Sequence, residues 1–122
     1  MRKTMPISRP VGLPPGSIVV VPFPYSDRLA EKRRPAVVVS GSKVATAGFV
    51  WIAMITSARN PIMFGDLPIL DLGPTGLAVS SVVRPVKLAC VEPGRILRVI
   101  GALHPEEADD VYESLRERLG PL

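Results

Sequence analysis

The chain alternates short β-branched runs with turn-forming residues, and only its end carries helical periodicity. Residues 18–21 and 36–39 are continuous apolar runs, the pattern of strands buried on both faces. The first strand, 17–21, opens after Gly16 and is expected to stop at Pro22, Phe23 and Pro24, because a proline donates nothing to a ladder. A charged loop, 25–34, follows, and Pro35 starts the second strand. Gly41, Ser42 and Lys43 break that strand, and a third runs over 49–55. Thr56 to Pro61 reads as a turn-rich exit, with a fourth strand at 67–71 and a turn at 73–76. The fifth strand, 81–88, contains Pro85 and therefore an edge or a bulge, and the sixth, 95–100, closes at Gly101.

Five or six short strands separated by turns predict a mainly β fold with α, a small barrel, rather than a parallel βαβ sheet. The one helix is the last element. Pro105 suits its first position, and Glu106, Glu107, Asp109 and Asp110 complement its positive end. Ala108, Val111, Tyr112, Leu115 and Leu119 make one apolar stripe, with Arg116 and Arg118 in the last turn and Gly120-Pro121 as the stop. Residues 1–15, rich in proline and cations, read as a loosely held tail, and 16–122 as a single domain.

Composition narrows this picture. With 122 residues and 47% hydrophobic composition, the chain supports one core. Its fourteen prolines and ten glycines favour short strands over long helices. One cysteine, Cys90, excludes an intrachain disulfide and favours the cytoplasm. No apolar run reaches the roughly 20 residues of a membrane span, and residues 1–12 lack the apolar core of a signal peptide. The formal net charge is +4, unevenly spread: residues 1–60 hold nine lysines and arginines against Asp27 and Glu31, and 61–122 hold six against nine acids. A basic front half suits an anionic partner, nucleic acid or an acidic peptide.

The usual catalytic side chains are missing. His104, the only histidine, precedes Pro105 and reads as a helix cap. Cys90 has no nearby histidine or cysteine and reads as a small buried hydrophobe. What remains is arginine, lysine and hydroxyl chemistry. Lys32, Arg33 and Arg34, with Arg28 nearby, sit where a loop meets a strand, and a guanidinium fork binds phosphate. Thr56 and Ser57 could hydrogen-bond the same phosphate, while Arg84 and Lys87 could extend a cationic track, provided a bulge at Pro85 puts them on one face. Phe23, Tyr25 and Trp51 are stacking candidates. Each has a plainer explanation: a solvated charged loop for the triplet, an ordinary turn for Thr56-Ser57, and core packing for Phe23 and Trp51. The residues alone reach a small basic β-rich domain with nucleic acid as one possible partner.

The segments GSIVVVPFPYSD, KRRPAVVVS, AMITS and SVVRPVKLA, in this order and spacing, resemble the MazF/PemK family of toxins from type II toxin–antitoxin systems, its PemK-like branch most closely. The resemblance covers about 16–101, and the terminal helix also fits. It implies an SH3-like barrel with a C-terminal helix, working as a cytoplasmic homodimer. It implies a metal-independent endoribonuclease, without cofactor, that cuts single-stranded RNA, mRNA included, and so inhibits translation and growth. In that chemistry the 2′-hydroxyl attacks the adjacent phosphate, leaving a 2′,3′-cyclic phosphate and a 5′-hydroxyl. The family's arginine before proline falls on Arg34, which stabilises the phosphorane and donates or relays a proton. Its threonine at the end of the third strand falls on Thr56, which orients the phosphate. Lys32, Arg33, Ser57, Arg84 and Lys87 are then RNA-binding candidates, and the loop over 25–33 is a lid. The implied partners are RNA and a cognate antitoxin with an acidic C-terminal segment; operator DNA is reached only through the antitoxin complex, and no membrane is involved.

Two positions depart from the family pattern. Ser17 replaces the usual acid after the first glycine, and Lys87 stands where many members carry glutamine or a carboxylate, which would change RNA preference. Two rival functions use the same fold: a CcdB-like gyrase poison, disfavoured by a C-terminus without an aromatic residue, and a nucleic-acid-binding regulator without catalysis.

Overall fold

The β-branched runs become sheet. In the computed structural model, which describes residues 13–22 and 32–121, six strands form one antiparallel sheet. They are β1 (Ser17–Pro22), β2 (Arg33–Val38), β3 (Val50–Ser57), β4 (Leu67–Pro68), β5 (Ser81–Val91) and β6 (Arg98–Ala102), in the order β4-β5-β3-β2-β1-β6. Among the described residues β4 and β6 are the free edges, so the sheet is open and barrel-like, mainly β with a C-terminal helix. Residues 1–12 of the tail expected over 1–15, the candidates Phe23, Tyr25 and Arg28, and most of the expected lid lie outside the described residues.

Strand alternation divides the core in two. Ile18, Val37, Ala53, Ile55 and Val83 pack against Ala108 and Val111 of the helix α2 (Pro105–Arg118). Their neighbours along the strands, Val19, Val21, Ala36, Val38 and Ile52, pack with Val50 and Val91 into a second cluster on the other face. Both faces of β1 and β2 are therefore buried, as their unbroken apolar runs require. Full burial of a valine or isoleucine contributes about 1.5–3 kcal/mol, so these clusters hold the sheet rather than its hydrogen bonds alone.

The helix follows its sequence signals. His104 caps it, its Nδ1 accepting from the Glu106 amide at 3.2 Å, and Pro105 occupies the first turn. Leu119 lies at the C-cap and is exposed rather than continuing the apolar stripe. A second helix, α1 (Ser42–Thr46), buries no side chain and stands where only a strand break was expected.

Three further differences concern the strands. Pro22 is the last residue of β1 rather than its stop, because it pairs with Arg33 at the strand end. β4 covers two residues only, and β6 begins at Arg98 because Pro93–Arg95 form a 3₁₀ turn. β5 carries the bulge that Pro85 signals: Ala53 pairs with Leu88, but Met54 pairs with Arg84, leaving 85–87 outside the ladder.

Candidate functional site

Arg34 is placed by β1. It pairs with Val21, and the neighbouring pairs are Val20–Pro35 and Pro22–Arg33. Val20 also pairs with Arg98 on the far side of β1, and the Leu97 amide donates to the Val20 carbonyl at 2.9 Å. All three arginines border one cleft of about 500 Å³, Arg33 and Arg98 on the sheet face of Val20, and Arg34 between Arg33 and Pro35 with its side chain on the face of Val21. Its apolar wall comes from Leu77, Leu97 and Ile100. Arg33 and Arg98 are exposed and Arg34 is half-buried. Among the described residues no carboxylate lines this cleft. Arg95 stands at the same end of β1, where its Nη2 approaches the Pro22 carbonyl at 3.5 Å.

The opposite wall is a turn held against β6. Thr75 is fully buried; its hydroxyl donates to the Leu72 carbonyl at 2.7 Å and accepts from the Leu77 amide at 3.1 Å. Gly76 has φ +75°, and a Cβ there would overlap the Ile100 carbonyl. This turn is glycine because the backbone approach leaves no space for a side chain.

Thr56 lies at the end of β3. The β2–β3 ladder ends at Ala36–Met54; Arg34 and Thr56 lie two residues beyond that pair on their own strands, and Thr56 does not line the arginine cleft. The threonine is buried, and its Oγ1 accepts from Asn60 Nδ2 at 2.5 Å. That bond uses one lone pair and leaves the O–H as a donor. Ser57 is half-buried, its Oγ accepting from the Arg59 amide at 3.2 Å. Lys32 is exposed just before β2.

Arg84 departs from the expectation of a cationic track. It is 9% exposed, with Nε and Nη2 both on the Asp66 carboxylate at 2.9 Å and Nη2 also on the Pro61 carbonyl at 3.0 Å. The bidentate bond from Arg84 holds the Asp66 carboxyl below its ordinary pKa, against the opposing effect of burial, and the same bond raises the arginine's. Arg84 therefore anchors the 61–66 loop to β5. Lys87 lies in the bulge, half-buried, and does not share a setting with Arg84.

Two aromatic and thiol expectations also change. Trp51 is 47% exposed rather than core, and Cys90, its cross-strand partner, is exposed rather than buried. Both sit beyond the part of the sheet covered by α2. The residues missed altogether are Arg95 and Arg98. The signal was the RILR spacing after Gly94, which hides its meaning until the 3₁₀ turn takes Arg95 out of the strand.

An open antiparallel sheet with a C-terminal helix brings arginines of β2 and β6 to the border of one cleft that, among the described residues, no carboxylate lines. The model of the PemK-like, MazF-like toxins of type II toxin–antitoxin systems matches residues 14–119, and the chain belongs to that family. No curated protein sequence matches it. Solved structures similar to it include the Mycobacterium tuberculosis toxin MazF-mt6, at 20% identity and TM-score 0.63, over 83% of this chain and 93% of that one. MazF from Deinococcus radiodurans aligns at 22% identity and TM-score 0.66, over 88% and 96%. An endoribonuclease in complex with its cognate antitoxin, from a mycobacterial species, aligns at 13% identity and TM-score 0.65, over 92% and 99%. These likenesses establish the fold. Among the described residues no helix is long and apolar enough to cross a membrane.

Proposed function

We propose that this toxin is a metal-independent endoribonuclease acting on single-stranded RNA, mRNA included. The observation that carries the reading is Arg34, held beside Val21 on the sheet face that carries Ala36 and Met54, with Thr56 two residues beyond Met54 on β3. The description of a structural relative as an endoribonuclease supports it. The scissile phosphate sits between the two residues. Attack by the 2′-hydroxyl forms the 2′-O–P bond as the P–O5′ bond breaks. The proton lost from the 2′-oxygen is balanced by one gained at the departing 5′-oxygen, giving a 2′,3′-cyclic phosphate and a 5′-hydroxyl.

Arg34 stabilises the charge that grows on the non-bridging oxygens, because its planar fork matches two of them. Thr56 orients the phosphate through the O–H that Asn60 leaves unused. The nucleophile belongs to the substrate, so no histidine or activated serine is required. Lys32 and Arg33 add phosphate attraction at the mouth of the cleft, and Ser57 extends the polar strand end beside Thr56. Cutting message arrests translation and growth.

A cognate antitoxin with an acidic segment over these arginines would inhibit by occlusion, a reading supported by the antitoxin-bound relatives. The protein works as a cytoplasmic homodimer, reaching operator DNA only through the antitoxin. The test gives purified wild type and Arg34→Ala the same RNA in EDTA. Cleavage by wild type alone, with cyclic-phosphate ends, is expected. Equal cleavage by both, or none by either, overturns the mechanism.

A further inference from the structure

We propose that the groove between α2 and the 61–70 segment docks a basic peptide segment of a partner protein, in which lysine or arginine alternates with aliphatic residues. Two depressions on that side of α2 share Leu67 and Asp110 in their linings and so meet end to end. The smaller, about 190 Å³, has room for one long side chain above Ile69, Val83, Leu103 and Val111. Glu107 lines it. Its Oε2 accepts from the Leu70 amide at 2.6 Å, whereas its Oε1 is buried and, among the described residues, receives no hydrogen bond. A buried carboxylate oxygen without a donor is unfavourable, and a cation entering the pocket supplies the donor. A lysine or arginine side chain answers both features, its methylene stem covering the apolar wall and its charged end reaching Oε1.

The acids continue along the groove. Asp110, Glu113 and Glu117 line the larger depression, at spacings from Glu107 that keep all four on one side of α2. They span about 15 Å of helix axis, the length of about five extended residues. Arg118 is the cation of this lining, and its guanidinium is held by Ser114. Asp66 is neutralised by Arg84, and Glu113 meets Arg116 in an exposed pair. The other wall is apolar and open to solvent: Phe64 is 93% and Leu70 85% exposed. An acid row facing exposed aliphatic and aromatic side chains complements cations alternating with aliphatic residues, and it repels a phosphate backbone. The groove shares no lining residue with the arginine cleft, so this docking stands or falls apart from the ribonuclease reading.

The probe is a labelled six-residue peptide of alternating leucine and lysine, titrated with the full chain and read by fluorescence anisotropy. A leucine–glutamate peptide of the same length is its counterpart. Wild type should bind the lysine peptide, less tightly as salt screens the acids, and should not bind the glutamate peptide. Glu107→Gln keeps an oxygen for the Leu70 amide but loses the charge, and should raise Kd about fivefold. Phe64→Ala removes an exposed ring without disturbing the core and should raise Kd by a similar factor. Glu92→Gln, at an exposed acid outside both depressions, should change nothing. Equal Kd for wild type, Glu107→Gln and Phe64→Ala, equal binding of the two peptides, or no binding by wild type up to about 1 mM overturns the docking site. Sedimentation of the same samples identifies the competing occupant. A wild type that takes up no peptide and self-associates, with Phe64→Ala monomeric, assigns the groove to a second copy and overturns the peptide site as well.

Discussion

Two depressions in this protein contain arginine and use it in opposite ways. The cleft beside β1 is bordered by Arg33, Arg34 and Arg98, and among the described residues no carboxylate lines it. The larger groove under α2, about 710 Å³, is lined by Asp66, Asp110, Glu113 and Glu117 beside Arg118. There the guanidiniums are occupied: Arg118 donates to the Ser114 carbonyl and hydroxyl at 3.0 and 2.6 Å while passing over Gly65, and Asp66 of the lining is gripped by Arg84, which stands outside it. A paired arginine is a structural tie whose field is cancelled locally. An arginine without a facing carboxylate keeps both its field and its hydrogen-bond fork for a ligand. Carboxylate placement, more than the count of cations, tells the candidate site from the scaffold.

The sharpest way to break that contrast is to remove one arginine from each region. Arg34→Ala should lower the cleavage rate about a thousandfold, some 4 kcal/mol of transition-state stabilisation, with little change in melting temperature. Arg84→Ala should do the reverse. It leaves the Asp66 carboxylate buried without its partner, a loss of about 3 kcal/mol in folding stability. That corresponds to a drop of roughly 10 °C in Tm, with cleavage per folded molecule close to wild type. Thermal melts and single-turnover cleavage on both variants check the pair. A thousandfold activity loss in a fully stable Arg84→Ala would erase the distinction.

Gly76→Ala tests the cleft wall. The substitution needs a positive φ and pushes a Cβ into the Ile100 carbonyl, so a loss of about 2 kcal/mol is expected by chemical denaturation. RNA affinity should fall as the wall moves off β6. Unchanged affinity in the folded fraction would mean that the wall does not touch RNA.

The elements that build the cleft were largely legible in the sequence. Val19 to Val21 and Ala36 to Val38 announce buried strands, and Pro105 with the acids after it announces α2. Arg34 stands out because Pro35 fixes it at a strand start. What was not legible depends on what covers a face. Trp51 shares a strand face with Ala53 and Ile55, but α2 covers only the latter two, so the tryptophan and its partner Cys90 stay exposed. No local pattern links Arg84 to Asp66, eighteen residues earlier; the fold alone brings that carboxylate to β5. Charge read by halves of the chain hid Arg98, because β6 returns from the acidic half to lie beside β1. The helix α1 lacks periodicity because it buries nothing.

The smallest expected effect is one of pH, and its sign follows from Asp66. Arg84's hydrogen bonds lower this carboxyl's pKa in the folded protein, so the unfolded chain takes up a proton first as pH falls. The stability from the pair is fully present above the unfolded value, about 4, and is lost as pH drops through that point toward the folded pKa. Urea midpoints measured from pH 6 down to pH 2.5 should decline for wild type only in the lower part of that range. Asp66→Asn keeps the shape but cannot titrate, so it should start lower and decline less. Among the described residues no carboxylate lines the arginine cleft, so its affinity for RNA should hold where the Asp66 tie begins to fail, for as long as the fold survives. A loss of RNA binding that begins above pH 5 would place an undetected carboxylate at the cleft and undo the contrast between the two regions.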